Sequence, residues 1–299
     1  MNTPISILIP TYNYLVYPLV KELQSQALLL NTPFEIIVVN DASKLYNEQN
    51  LALSKLENVH YIQLENNLGR TKVRQLLAQK ANFDWLLFMD ADVIPKKSSF
   101  LDIFLQTLDT NKMQCVFGGI SYQEELPHKN YALRWYYGRK REHLSLSIRN
   151  KNPYVTINSG CFLIQKSIFN SINEKLSQID RYGLDLYFKE LLKQESVSVK
   201  HIDNEVIHLG LESSEHYIKK SLEAVETLYF LEKNKYIKEN EYPLQKTFIS
   251  LKKYHLIKIT HGVYALSKKW MEKNLKSTMP NLRVFDFYRL GFYIQLKNE

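Results

Sequence analysis

The first hundred residues alternate between short apolar runs and longer segments that carry an apolar residue at every third or fourth position. The apolar runs predict strands buried on both faces, and the longer segments predict amphipathic helices. Strands of this kind, joined by helices, are typical of a parallel sheet with helices on both faces. The predicted strands are 5–9, 35–39, 59–64 and 85–89, and the predicted helices are 14–30, 47–57 and 69–81.

The pattern after residue 95 is less regular. A helix is predicted over 96–108, with Ser98 or Ser99 as its N-cap. Further strands are predicted at 115–122, at 160–164 and within 197–208, and further helices at 130–143, 184–194 and 214–234. The last sixty or so residues are basic and aromatic and predict shorter helices. We therefore expect an α/β domain over 1–210 and a helical extension over 211–299.

Composition places the chain among ordinary globular proteins, with 45% hydrophobic and 23% charged residues. No stretch approaches the roughly 20 apolar residues of a membrane span, and the N-terminal residues lack the pattern of a signal peptide. Cys115 and Cys161 lie in unrelated contexts, so neither a disulfide framework nor a cysteine metal motif is predicted. These features favour a cytoplasmic protein.

The net charge of +8 is concentrated in the C-terminal region, where residues 211–299 carry 16 Lys and Arg against 10 Asp and Glu. Aromatic residues are interleaved with these lysines. One interpretation is peripheral contact with the inner face of the cytoplasmic membrane through this basic tail. The other is a helical subdomain that packs its aromatics and leaves its lysines in solvent. The aromatics concerned are Phe248, Tyr254, Trp270, Phe285 and Tyr288.

Residues suited to a nucleotide diphosphate follow the first three predicted strands. In a sheet of this type the carboxyl ends of the strands gather at one edge, where ligands bind. The first strand ends in a Pro-Thr-Tyr-Asn run with an aromatic face for a base, and Asp41 after the second strand can accept from a base N–H. After the third strand, Gly69 permits close backbone approach, and the cations that can neutralise a diphosphate are Arg70, Lys72 and Arg74.

The fourth strand ends in two carboxylates separated by one small residue, Asp90-Ala91-Asp92. Carboxylates at this spacing on a strand end converge on one hard cation, and Ala91 leaves room for a ligand. Mg²⁺ or Mn²⁺ bound by one or two carboxylates keeps positions open for phosphate oxygens. An isolated Asp-x-Asp is more often a solvated turn, but four neighbouring strand ends with complementary chemistry favour a metal site.

Together these motifs resemble the family 2 glycosyltransferases, which have the GT-A fold and use nucleotide sugars. The resemblance covers roughly residues 4–210, and one departure from it is Gln75, where the family has Asn. The motifs that carry it are Pro10-Thr11-Tyr12-Asn13, Val39-Asn40-Asp41-Ala42-Ser43, Asn67-Leu68-Gly69 with Val73-Arg74-Gln75, and Asp90-Ala91-Asp92.

The resemblance implies a role for each matching position. Base contacts are implied for Thr11, Tyr12 and Asp41, and a direct metal bond for Asp92. The implied donor-binding residues are Pro10, Thr11, Tyr12, Asp41, Gly69, Arg70, Arg74, Asp90 and Ala91, and the implied ligands of Mn²⁺ or Mg²⁺ are Asp90, Asp92 and His208. A lone histidine after an apolar pair is also often a hydrogen-bonded core residue, so both interpretations of His208 stay open.

The family's catalytic base is the aspartate of an acidic pair at the start of a helix, and Asp185 holds that position here. The preceding glutamate is replaced by Leu184, so half of the pair is missing. Asp185 would otherwise be an ordinary carboxylate that stabilises a helix N-terminus.

The activity implied is an inverting transfer of a hexosyl or N-acetylhexosaminyl group. The donor would be a nucleotide-diphosphate sugar, UDP-linked on family grounds, with guanosine or thymidine as the alternative bases. The acceptor would be a hydroxyl of a glycan or lipid-linked glycan, as in surface polysaccharide or glycoconjugate synthesis. The alternative, suggested by Leu184, is a non-catalytic nucleotide-sugar binding or scaffold protein of the same fold.

Two further classes are disfavoured by the sequence. A nucleotidyltransferase requires a glycine-rich phosphate loop after the first strand, where this chain has no glycine. A nucleic-acid partner is not expected, because the positive charge lies far from the motifs and forms no recognised module.

Overall fold

The computed structural model describes residues 3–108, 113–154 and 156–298. The chain forms two compact units. The first comprises Met1–Tyr122, Glu142–Ile179 and Leu191–Gly210, and the second comprises Gln123–Arg141, Asp180–Glu190 and Leu211–Glu299. One division falls after residue 210, and two shorter segments from within the predicted α/β domain join the second unit.

Strands are confined to the first unit in the described part of the chain. They are β1 (Ile5–Thr11), β2 (Phe34–Asn40), β3 (Val59–Gln63), β4 (Trp85–Met89), β5 (Val93–Pro95), β6 (Cys115–Phe117), β7 (Ile120–Tyr122), β8 (Cys161–Gln165), β9 (Val199–His201) and β10 (Val206–His208). Seven of them form one sheet in the order β3-β2-β1-β4-β8-β6-β9, in which only β8 runs antiparallel to its neighbours. The remaining three form a small sheet in the order β5-β10-β7.

Helices connect the strands and form most of the second unit. They are α1 (Tyr17–Leu28), α2 (Asn47–Leu51), α3 (Arg70–Lys80), α4 (Phe100–Leu108), α5 (Ala132–Tyr137), α6 (Leu146–Lys151), α7 (Lys166–Leu176), α8 (Asp185–Gln194), α9 (Ser214–Lys233), α10 (Pro243–Lys253), α11 (Ile257–Leu275) and α12 (Leu282–Asn298). The mainly parallel sheet with helices packed on it, followed by C-terminal helices, confirms the predicted fold class.

The order of the large sheet determines where a ligand site belongs. The chain moves outward from β1 to β2 and β3, and then returns to place β4 on the other side of β1. Ligands of open α/β sheets bind outside the carboxyl ends of the strands at such a reversal. The residues that follow β1 and β4 are therefore the structural centre of the candidate site.

One predicted strand, 115–122, is two strands in the structure. β6 joins the large sheet and β7 pairs with β10 in the small one, and Gly118 and Gly119 make the turn between them. Gly119 has a φ of +101°, and a Cβ at this position would lie 2.9 Å from the Arg149 guanidinium. The apolar pattern gave no sign of the change of sheet, because both halves are buried.

The second unit has its own hydrophobic core. Phe285 and Tyr288 of α12 are buried in it, and Phe248 packs edge-on against Tyr293. Of the five tail aromatics considered for a surface role, only Tyr254 and Trp270 are largely exposed. The buried members of the core cluster are Leu133, Tyr217, Ile218, Tyr264, Met271, Leu275, Phe285 and Tyr288.

Both cysteines are free thiols buried in the large sheet, on β6 and β8. Burial raises the pKa of the Cys115 and Cys161 thiols, which keeps them protonated and unreactive. Among the described residues, none of the helices combines the length and the apolar character that crossing a membrane would require.

Candidate active site

The loops that follow β1 and β2 are joined by hydrogen bonds at the predicted edge of the sheet. The amide of Asp41 donates to the Thr11 carbonyl at 2.9 Å. Asn13 has a φ of +52°, and its side-chain carbonyl accepts from the amides of Lys44 and Leu45 at 2.7 and 3.2 Å. These bonds fix two loops that carry implied base contacts.

Asp41 also holds the loop after β3. Its buried carboxylate accepts from the amides of Leu68 and Gly69 at 2.7 and 3.0 Å. Gly69 has a φ of +81° and immediately precedes α3, so a side chain there would strain the turn. Asp41 therefore shapes the loop that starts α3, and each carboxylate oxygen retains a lone pair for a further donor.

Asp90 lies between two arginines of α3. Arg70 Nη2 donates to Oδ2 and Arg74 Nη2 to Oδ1, both at 2.7 Å. The same nitrogens contact Ser159, whose hydroxyl accepts from Arg70 at 3.1 Å and whose carbonyl accepts from Arg74 at 2.6 Å. Burial by itself would raise the pKa of Asp90, but the two guanidinium charges outweigh it and hold this pKa below its usual value.

Asp92 faces a different partner, two residues further along. Its Oδ2 lies 3.4 Å from His208 Nε2, and its carbonyl accepts from the Leu209 amide at 2.8 Å. Burial, with the nearby Asp90 charge, raises the pKa of the Asp92 carboxyl, and His208 offsets part of this. The antiparallel pairing of β5 with β10 brings the two residues together, because His208 is paired with Val93.

Gly210 completes the surroundings of Asp92. A Cβ built at this glycine would lie 2.1 Å from Asp92 Oδ2, so no other residue fits without moving the carboxylate. The ring of Tyr122 packs beside His208 with centroids 5.6 Å apart, and the Tyr122 hydroxyl donates to Glu142. The His208 ring is therefore held from the side that faces β7.

The residues around Asp92 suit a divalent cation. An imidazole nitrogen and a carboxylate oxygen 3.4 Å apart are donors that Mn²⁺ accepts, and Mg²⁺ and Mn²⁺ sites commonly take one or two protein ligands, with phosphate and water completing the shell. Asp90 has both oxygens paired with arginines in this structure. No group of three or more His, Cys, Asp or Glu in the described ranges forms a metal cage. The assignment of Asp90 as a ligand stays a prediction.

The predicted base lies in the second unit. Asp185 is the first residue of α8 and is exposed, whereas Leu184 is buried in place of the family's glutamate. Gly183 before it has a φ of +86°, and a Cβ there would meet Ala224 at 3.0 Å. The missing carboxylate is thus replaced by a packing side chain, while the base position itself stays open to solvent.

The other implied donor contacts are distributed between buried and open positions. Thr11 is buried and its hydroxyl donates to the Tyr14 carbonyl at 3.3 Å, whereas Tyr12 presents an exposed ring. Pro10 and Ala91 are partly exposed. Their contacts with a donor stay predictions.

Three residues that contribute to the site were not predicted from the sequence. Ser159 holds both arginines, and Tyr122 with Glu142 supports His208. Ser159 stands in an Asn-Ser-Gly run before β8, which was a detectable signal. Nothing local marks Tyr122 or Glu142, because their role depends on the pairing of β7 with β10.

The sheet order and the strand-end residues define the class of nucleotide-sugar enzymes with the GT-A fold, and comparisons with known proteins agree. The family described as glycosyl transferase family 2 matches residues 6–172, and the chain belongs to this family. No curated protein matches.

Solved structures share the fold at low sequence identity. A structure of S. aureus TarS 1-349 is 16% identical, with a TM-score of 0.51, and the match covers 99% of this chain and 92% of that one. M. tuberculosis glucosyl-3-phosphoglycerate synthase, solved with Mn²⁺, UDP and glucosyl-3-phosphoglycerate, is 14% identical, with a TM-score of 0.51, over 76% and 79% of the two chains. A longer TarS structure is 18% identical, with a TM-score of 0.49. The match covers 76% of this chain, and this chain spans only 40% of the length of that TarS chain.

Proposed function

We propose that this protein is an inverting glycosyltransferase that moves a hexosyl or N-acetylhexosaminyl group from a UDP-sugar to a hydroxyl of a glycan or lipid-linked acceptor. Membership of the family supports glycosyl transfer. The observation that carries the proposal is the set of paired polar residues where the strand order reverses. Asp41 orders the loop into α3, Arg70 and Arg74 hold Asp90, and Asp92 pairs with His208.

The donor nucleotide is bound by the loops after β1, β2 and β3. Tyr12 offers an exposed ring face to the base, and Asp41 has acceptor capacity left for a base N–H. The side chain of Arg70 is 46% exposed and that of Arg74 only 10%. Arg70 is therefore the cation that reaches a diphosphate, and Arg74 positions Asp90.

Asp92 and His208 would hold the divalent cation, Mn²⁺ or Mg²⁺. When bound, such an ion neutralises the negative charge that grows on the departing nucleoside diphosphate. Support for UDP and for these metals comes from the complexes of the M. tuberculosis synthase, which contain UDP with Mn²⁺ or with Mg²⁺.

Asp185 removes the proton from the acceptor hydroxyl, which attacks the anomeric carbon from the face opposite the leaving group. One base suffices, because a cation held by Asp92 and His208 would neutralise the charge on the leaving group in place of a general acid. No covalent sugar–enzyme intermediate forms, so the product has inverted anomeric configuration.

A panel of nucleotide sugars tests this function. Release of nucleoside diphosphate is measured with Mn²⁺ and with EDTA, and thermal stabilisation reports binding. We expect one UDP-sugar to be turned over with Mn²⁺, and Asp185→Asn to lower turnover about 10³-fold with binding retained. Retained turnover in Asp185→Asn would refute the assignment of the base.

The second candidate, a non-catalytic nucleotide-sugar binder, is favoured by one observation. The family's glutamate is replaced by a leucine that packs in the interior. The same panel separates the two functions. Thermal stabilisation by a UDP-sugar, with no diphosphate release from any donor in the presence of acceptor glycans, would favour the binder.

A further inference from the structure

Helix α11 of the second unit has an apolar face that no other described part of the unit covers. Four side chains spaced by four, three and four residues form this face, which we call the α11 stripe. Leu266 is 91% exposed, Ile259 65%, Trp270 61% and Val263 49%. At 100° per residue they fall within about 60° of the helix circumference. The stripe therefore presents one continuous apolar ridge.

The stripe is not the core-facing side of the helix. Tyr264, Met271 and Leu275 are buried on the opposite side, within the hydrophobic core of the second unit. A helix on the surface of a globular protein normally pairs one apolar face with one polar face. α11 is instead apolar on both sides. Single exposed apolar side chains are common on protein surfaces, but four that are aligned on one helix are not.

Positive charge borders the stripe on one flank. Lys258, Lys269 and Lys273 are exposed and lie on the sector next to Leu266. No Asp or Glu occurs between Tyr242 and Met271, a segment that contains six lysines. The outer side of this helix thus combines an apolar ridge with a row of cations.

We propose that the α11 stripe is a docking surface for an anionic lipid bilayer. The helix lies flat on the membrane, Leu266 and Trp270 enter the headgroup region, and the flanking lysines contact lipid phosphates. An apolar ridge beside lysines is the pattern that binds at such interfaces, and tryptophan suits a boundary between apolar and wet surroundings. The inference does not depend on the proposed transferase activity.

Charge and shape favour a bilayer over other occupants. In an antiparallel two-fold pairing of the stripe with a second copy, the two rows of lysines would lie side by side, and in a parallel pairing neither row would meet a carboxylate. A soluble polyanion would engage the lysines and leave the ridge in water. Of these three occupants, an anionic lipid surface is the one that offers both a place for the apolar side chains and negative charge beside it.

Co-sedimentation with vesicles of phosphatidylcholine alone, or mixed with phosphatidylglycerol, tests the proposal on the full chain. We expect binding to the mixed vesicles and about twentyfold weaker binding when Lys269→Gln and Lys273→Gln are combined. Leu266→Glu should weaken binding at least about tenfold, because a charge replaces the most exposed apolar residue of the ridge.

Matched variants elsewhere separate docking from general effects of charge and apolarity. Leu29→Glu changes an equally exposed leucine after α1, and Lys55→Gln combined with Lys80→Gln removes two exposed lysines of the first unit. Both controls should bind the mixed vesicles like the unchanged protein. All variants alter exposed side chains, and identical thermal unfolding would show that the fold is preserved.

Three results would overturn the proposal. The first is no binding to vesicles that contain phosphatidylglycerol. The second is equal loss of binding in the stripe variants and their controls, which would indicate non-specific charge attraction. The third is a dimer in sedimentation equilibrium that Leu266→Glu dissociates, since the ridge would then be an interface between copies of this chain.

Discussion

The strand-end site of the first unit and the outer side of α11 depart from ordinary protein chemistry in opposite directions. At the strand ends, charged groups are drawn out of solvent and paired with one another, as Arg74 is with Asp90. On α11, large apolar groups such as Leu266 are left in solvent beside lysines. Buried charge and aligned exposed apolar surface both cost free energy.

These opposite features indicate where function is to be sought in each unit. A buried ion pair contributes little net stability compared with a pair of hydrophobic residues in the same two positions, so its presence at a strand reversal indicates a site built for a ligand. An uncovered ridge indicates a surface that is buried only in an assembly or at a membrane. Substitutions in each region test whether it has the consequence expected of it.

The largest effect is expected at Asp92. Asp92→Ala removes the carboxylate that faces His208, and turnover of the donor should fall about 10³-fold because charge on the leaving group is no longer neutralised. Diphosphate release at saturating Mn²⁺ measures this. Activity within about tenfold of the unchanged protein would remove Asp92 from the site.

The two arginines that hold Asp90 should differ in their importance for stability. Arg74→Leu breaks a largely buried pair and should lower the free energy of unfolding by about 3 kcal/mol. Arg70→Leu breaks an ion pair whose arginine is exposed, and it should lower the free energy of unfolding by less than about 1 kcal/mol. Urea denaturation of both variants supplies the comparison, and equal losses would show that burial does not distinguish the two pairs.

Gly210→Ala tests the geometry around Asp92 without changing a polar group. The added Cβ must displace the carboxylate that it meets at 2.1 Å, and Mn²⁺ affinity should fall about thirtyfold. Titration of Mn²⁺ in the presence of UDP measures the change. Gly262→Ala on α11 is the control, since nothing lies within 4 Å of a Cβ there and affinity should stay the same.

The smallest effect on stability is expected at the α11 ridge. Leu266→Glu should change the free energy of unfolding by less than about 0.5 kcal/mol, because the side chain is in solvent. Thermal unfolding in the absence of lipid checks this. A loss of 2 kcal/mol or more would mean that the leucine is packed in solution, and the contrast between the two regions would disappear.

The sequence was sufficient to predict the polar residues at the strand ends of the sheet, but not the residues that they contact. The run from Leu86 to Asp92 predicted a buried strand that ends in carboxylates, because local apolar pattern and strand position carry that information. That Asp90 would meet Arg70 and Arg74 depends on how α3 packs on the sheet, and that Asp92 would meet His208 depends on the pairing of β5 with β10. Local pattern does not encode such pairing.

The C-terminal tail also shows that local sequence pattern does not predict long-range packing. Its aromatics and lysines predicted either a surface or a packed subdomain, and the structure divides them. Phe285 and Tyr288 belong to the core, whereas Trp270 stays outside. The period of α11 alone does not decide this, since apolar residues lie on both sides of the helix and only packing shows which side is covered.

Binding of UDP with and without Mn²⁺ tests the central claim most directly. In calorimetric titrations of the unchanged protein and of Asp92→Asn, we predict that Mn²⁺ tightens UDP binding at least about tenfold in the first and has no effect in the second. Equal UDP affinity in Mn²⁺ and in EDTA for the unchanged protein would contradict a metal-assisted diphosphate site at Asp92 and His208.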